Sequence, residues 1–174
     1  MTMIHHDLPP GWLTDEEASA LAELARDKVV LEVGTFLGRS TVALARTAEL
    51  VVTVDHHHGP PQDAGGETTE RFWANVNAYA VSEKVLPIIA GFERVHRFLQ
   101  PVFDLAFIDG AHDGISVLRD AKAAVSLLRP ACPLLFHDFE VHVGVTSAVH
   151  HLARSWKQDY TVLPGTSIAM LKSD

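Results

Sequence analysis

The sequence predicts an α/β protein: a three-layer sandwich around a mostly parallel seven-stranded sheet, with an antiparallel strand near the C-terminus. Three observations carry this. Apolar, strand-like runs alternate with helical patterns along most of the chain, which is the arrangement of a parallel sheet covered by helices on both faces. The run Leu31-Glu32-Val33-Gly34 passes through glycines into a helical pattern and then into Val51-Val52-Thr53-Val54-Asp55, a strand–turn–helix–strand unit. The last two strand-like runs are joined by Pro164-Gly165, a hairpin signal that turns one strand against the others.

Each element has its own justification. Thr14 reads as an N-cap, with Asp15, Glu16 and Glu17 in the first turn where acids complement the helix dipole; this helix runs to residue 26. Residues 28–33 form the first strand, 38–48 a helix and 50–55 the second strand. Residues 56–66, rich in His, Pro and Gly, form a loop, followed by a helix over 68–80 and the third strand over 85–89. A short helix spans 93–99, and 103–109 is the fourth strand. The helix over 115–128 stops before Pro130, 134–138 is the fifth strand, and 145–156 is the last helix. Residues 160–163 and 167–171 close the sheet. Residues 1–174 read as a single domain, in which 1–27 form an N-terminal segment and helix; no repeat or interdomain linker interrupts it.

Composition narrows the function. A chain of 174 residues is long enough to bury a real core. No apolar run approaches a membrane span, and Met1-Thr2-Met3-Ile4-His5-His6-Asp7 has no signal-peptide character. A single cysteine, Cys132, excludes an internal disulfide and suits a reducing cytoplasm. A formal net charge of −8 argues against a nucleic-acid substrate. Arg94, His96 and Arg97 read as a solvated helix face.

In an open parallel sheet, ligands bind beyond the carboxyl ends of the strands. Asp55, Gly91, Asp109 and the pair His137-Asp138 all fall at such ends. An acid at the tip of the second strand accepts hydrogen bonds from a ribose diol, at about 1.5–3 kcal/mol for each bond to a charged acceptor. The turn Gly34-x-x-x-Gly38 departs from the dinucleotide pattern G-x-G-x-x-G. Phe36 obstructs a pyrophosphate, and Glu32 repels phosphate while suiting the ammonium group of S-adenosylmethionine. These residues disfavour a nicotinamide cofactor.

The stretch Glu32-Val33-Gly34-Thr35-Phe36-Leu37-Gly38-Arg39-Ser40-Thr41 resembles motif I of class I S-adenosylmethionine-dependent methyltransferases, most closely the branch of catechol and sugar O-methyltransferases. Phe107-Ile108-Asp109-Gly110-Ala111-His112-Asp113 resembles that branch's loop after the fourth strand, and Leu134-Leu135-Phe136-His137-Asp138-Phe139 the end of its fifth. The resemblance spans residues 29–171 and implies a Rossmann-like fold. It implies that Glu32, Gly34, Thr35, Phe36 and Ser40, with Gly38 in the turn, cradle the methionine end of the cofactor. Asp55 and His56 would hold the ribose and flank the adenine, Gly91 and Phe92 would cover its other side, and Asp109 would border the cofactor. It further implies a divalent metal on Asp109, His137 and Asp138 that lowers a substrate hydroxyl's pKa. Where that branch often has a carboxylate this chain has His137, which suits manganese, iron, cobalt or zinc better than magnesium. Adjacent strand residues point to opposite faces, so His137 and Asp138 can share an ion only if the strand has ended; His137 otherwise reads as a base or as an orienter of Asp138.

His112, three residues after Asp109, is a candidate base for the hydroxyl proton. His57 and His58 read as loop residues, His150 and His151 as helix surface, and Trp12 and Trp73 as core packing or, alternatively, a substrate wall or dimer contact. The expected function is methyl transfer from S-adenosylmethionine to a hydroxyl of a small molecule, without nucleic acid or membrane as partner. The alternatives are a metal-dependent oxygenase on a similar scaffold and a cofactor-binding protein without catalysis. With no sizeable insertion to serve as a lid, either a large acceptor docks on an open face or a second subunit of a homodimer completes the site.

Overall fold

The computed structural model describes residues 8–59 and 67–172; the second half of the expected 56–66 loop lies outside the described residues. The chain alternates as α1 (Asp15–Leu24), β1 (Val29–Val33), α2 (Arg39–Ala45), β2 (Leu50–Asp55), α3 (Thr69–Ala78) and β3 (Val85–Ile89). It continues with α4 (Phe92–Val95), β4 (Leu105–Ile108), α5 (Gly114–Val125), β5 (Pro133–Phe136), α6 (Val143–Trp156), β6 (Thr161–Val162) and β7 (Ala169–Lys172). The seven strands lie in the order β3-β2-β1-β4-β5-β7-β6. β1 to β5 pair in parallel, and β7 runs antiparallel to both β5 and β6. No helix among the described residues is long and apolar enough to cross a membrane.

Strand periodicity sorts side chains between two cores. Leu31, Val33, Ala106, Ile108, Leu134 and Phe136 pack on the face covered by α5 and α6. Val30, Leu105, Phe107 and Leu135 pack on the face covered by α1 and α2. Alternation of this kind is what the pleat dictates. It also predetermines the strand tips: continuing the parity, Asp109 and His137 leave on the α1–α2 side.

Several expected bounds shift. The helix expected over 38–48 begins at Arg39, because Gly38 takes the N-cap in a left-handed conformation, and it stops at Ala45 with Arg46 as its C-cap. The 93–99 helix is one α turn over Phe92–Val95 continued by a 3-10 turn over His96–Phe98. Pro87 in β3 is compatible with that strand's place at the sheet edge, where a missing N–H need not break a ladder.

The strand order reverses between β1's two neighbours, β2 and β4, which opens a crevice at their carboxyl ends. Gly34 is required there twice over. Its φ is +88°, and a Cβ on it would lie 2.2 Å from the Asp109 carbonyl oxygen.

Candidate active site

A cleft of about 1490 Å³ lies over this switch point. That exceeds the ~300–1,000 Å³ of a typical small-ligand pocket and leaves space for two ligands side by side. It is bounded by the turn after β1, the tips of β2 to β5, the segment before α1 and the β6–β7 loop. Every candidate site residue lines it except Glu32 and Gly38.

Asp55 organises one end. Its Oδ2 accepts the amides of Thr35 at 2.8 Å and Phe36 at 3.0 Å, while Oδ1 accepts the amide of His57 at 2.7 Å. Burial works against its charge, but these amides outweigh it and hold the carboxyl below its ordinary range. Asp55 thus clamps the glycine turn, and Oδ1 keeps one lone pair for a ligand. The clamp also holds Phe36 at φ 48°, a conformation a bulky residue seldom adopts. The Phe36 ring stacks on Trp12 with centroids 4.7 Å apart. Trp12 is therefore not core packing: 65% of it is exposed, at the cleft mouth, and Trp73 is likewise exposed. Arg39 anchors the Trp12 segment by donating to the carbonyls of Leu13 at 2.6 Å and Pro9 at 2.9 Å and to Asp15 at 2.8 Å.

Glu32 departs from expectation. Sharing the face of Val30, it points beneath α2 instead of into the cleft and is 0% exposed. Thr41 Oγ1 donates to its Oε2 at 2.6 Å, and Oε1 has no partner. Burial pushes this carboxyl up to about 7. This placement does not support the ammonium-binding role expected from its charge, nor the contact with the methionine end that the resemblance implies. Gly38 serves the turn at φ +86°, and a Cβ on it would lie 3.1 Å from the Phe72 ring. His57 is not a free loop residue either. It is 1% exposed, with Nδ1 2.9 Å from Thr68 Oγ1, which ties the β2 tip to the start of α3. His56 is the exposed histidine that faces the cleft, and His150 and His151 lie on the α6 surface as expected.

At the other end, the tips of β4 and β5 bring together Asp109, His137 and Asp138. β5 ends at Phe136, and Asp138 takes φ 61°, which returns its side chain to the side of its neighbour. His137 Nδ1 lies 3.1 Å from Asp109 Oδ1 and 3.6 Å from Asp138 Oδ2. Ligand atoms at right angles on an ion about 2.1 Å away are about 3 Å apart, so the corner fits a divalent cation. Its mixed nitrogen and oxygen donors suit manganese, cobalt or zinc. Without an ion, burial pulls His137 toward neutrality, but hydrogen bonds to Asp109 and Glu17 push it up to about 10. Burial raises Asp109, against the opposing pull of His137.

Two residues here were not singled out from sequence. Glu17, read only as a first-turn acid of α1, accepts from His137 Nε2 at 3.1 Å. Its signal was the spacing Thr14-x-x-Glu17, a capping box, which the structure forms. His142, at the N-cap of α6, stacks on His112 at 4.1 Å and 15°. Gly144 permits this, since a Cβ there would lie 2.2 Å from the His112 carbonyl oxygen. His112 Nε2 is 3.0 Å from Asp138 Oδ2, a hydrogen bond that raises the imidazole's pKa against its partial burial. His112, Asp138 and His142 also cluster as two imidazoles and a carboxylate, the donor set of the oxygenase alternative. The two rings lie nearly parallel, so their nitrogens run side by side and do not converge on one point.

Comparison with known proteins agrees with this architecture. Residues 31–139, from β1 to just beyond β5, match the family described as a methyltransferase domain. Among solved structures, cofactor-bound Rv0187 from MTB superposes with a TM-score of 0.76 at 22% identity, over 96% of this chain and 84% of its own. An O-methyltransferase from Bacillus cereus in complex with SAH gives 0.72 at 18%, over 96% and 84%. The O-methyltransferase TomG from Streptomyces achromogenes, involved in tomaymycin synthesis and bound to SAM, gives 0.70 at 18%, over 94% and 82%. At these identities the likeness is one of fold.

Proposed function

The chain belongs to this methyltransferase-domain family, and from that premise we propose that it transfers the methyl group of S-adenosylmethionine to a hydroxyl of a small molecule. The observation that carries the reading is Asp55, clamping the glycine turn beside a cleft large enough for cofactor and acceptor together. The remaining lone pair of Oδ1 accepts a ribose hydroxyl, and Gly91 and Phe92 border the base. Phe36 fills the space a pyrophosphate would need and presents a ring to the thioether chain. Three of the similar solved structures are bound to cofactor, SAH or SAM, which supports the choice of cofactor.

In the reaction, an acceptor oxygen bonds to the methyl carbon as the carbon–sulfur bond breaks, and the sulfonium keeps that electron pair as a neutral thioether. The acceptor's proton goes to His112. With Nε2–H donated to Asp138, Nδ1 is the nitrogen left to take it, and Asp138 steadies the resulting imidazolium. A divalent ion held by Asp109, His137 and Asp138 would supply Lewis acidity at the acceptor oxygen. Trp12 and Phe36 wall the cleft mouth and restrict water beside the sulfonium.

Calorimetric titration with S-adenosylhomocysteine tests the cofactor. Micromolar binding is expected, weakened roughly 100-fold or more in Asp55→Asn through the loss of charged acceptors. His112→Gln should keep that affinity while turnover of an accepted hydroxyl falls roughly 100-fold or more. Absence of binding to the parent protein would overturn the reading.

A further inference from the structure

Glu17 does more than close a helix cap. It is almost fully buried, and both of its oxygens are engaged. Oε2 accepts the Thr14 amide at 2.9 Å and faces His137 Nε2 at 3.1 Å, while Oε1 accepts the Ser167 amide at 2.8 Å and hydroxyl at 2.7 Å. Four donors match the four lone-pair positions of a carboxylate, so nothing is left over for a ligand. A capping box needs only the bond to Thr14. The bond to His137 joins α1 to the tip of β5 across 120 residues of sequence, and it is made possible by strand parity.

The consequence falls on the imidazole. With Nε2–H committed to Glu17, the other nitrogen, Nδ1, is turned toward Asp109 and Asp138. Donation of the second ring N–H to a carboxylate is the support that metal-bound histidines ordinarily have. We propose that Glu17 is a positioning residue that fixes the tautomer and direction of His137, making the Asp109–His137–Asp138 corner selective for nitrogen-tolerant divalent ions over magnesium. This rests on the reading that the corner holds a divalent cation. The ion takes the place of the Nδ1 proton, and the imidazole is what sets its class, since magnesium favours oxygen ligands.

The test is calorimetric titration of the full chain with manganese, cobalt and magnesium ions separately, with S-adenosylhomocysteine as a parallel ligand. Manganese and cobalt should bind more tightly than magnesium. Glu17→Gln should weaken both by roughly 10–100-fold, the usual effect of losing such a support, with S-adenosylhomocysteine affinity unchanged. Thr14→Ala, which removes the other half of the cap, should lower the Tm and leave metal affinity as it was; equal losses in both variants would mean a merely structural role and overturn the proposal. Should Glu17→Gln fail to fold, long-range ¹H–¹⁵N spectra of the zinc-loaded parent protein decide. A proton on Nε2 of His137 with Nδ1 coordinated supports the proposal; a proton on Nδ1 overturns it. Preference for magnesium overturns the selectivity. If no ion binds while S-adenosylhomocysteine still does, the cation reading falls with the proposal and the methyl-transfer reading stands.

Discussion

Glu32 shows how one buried side chain can couple stability to pH. Thr53 lies opposite it in register on β2, and Thr53 Oγ1 and Glu32 Oε1 are both buried without a partner. Burial disfavours the charged carboxylate, and the side chains of Ser40, Thr41 and Thr53 pull the other way without offsetting it. With the carboxyl at about 7 in the fold and 4.5 as its reference value, the unfolded chain loses this proton first. The contribution is therefore fully present below pH 4.5, declines as pH rises toward 7, and is gone above it. A separation of this size corresponds to about 3 kcal/mol. Glu32→Gln keeps the shape and cannot ionise, so its Tm relative to the parent protein should climb between pH 5 and 8 and then level off. Thermal melts across that range check this, and a pH-independent difference would refute it.

The turn after β1 argues for a large asymmetry between two glycines. Gly34 is left-handed and pressed against β4, whereas Gly165 is left-handed with nothing within 4 Å of a built Cβ. Gly165→Ala should cost about 1–2 kcal/mol, the conformational penalty alone. Gly34→Ala adds overpacking against backbone and should cost about 2–5 kcal/mol, a Tm fall of about 5–15 °C. Denaturant melts of the two variants give the comparison directly. Much at this level was legible in the sequence: β2 and β3 occupy the spans their apolar runs define, and the hairpin at Pro164-Gly165 does place an antiparallel strand in the sheet. Contacts set by parity and distant packing were less so. Glu32 looked like a ligand because it precedes the turn, yet its face of the strand turns it away. Trp12 looked like core because indoles usually are, and only the anchoring of its segment by Arg39 puts it at the cleft. The contact of Glu17 with His137 joins two ends of the chain that no local pattern relates.

Across the whole molecule, residues 9–15 form a strap along the cleft mouth. Three donations from Arg39 hold residues 9–15 against α2 and so place Trp12 over Phe36. Arg39→Ala should release this strap. Trp12 emission, taken as the difference from a Trp12→Phe protein, should shift to the red, and S-adenosylhomocysteine should bind more weakly. The loss of three partly buried bonds should cost about 2–4 kcal/mol and lower the Tm by about 5–15 °C. An unshifted emission would mean that the strap holds without Arg39.

Pro87 has a further consequence for the open edge of the sheet. It sits in the middle of β3, the outermost strand on its side, where Leu86 and Ile89 leave apolar surface exposed. An open edge with such side chains is a template for adding a strand from another molecule. The proline interrupts the row of amide donors that such a strand would need. The opposite edge, β6, has only two residues. Neither margin offers an unbroken backbone ladder, so strand addition and fibre-like growth are disfavoured at both edges of the sheet.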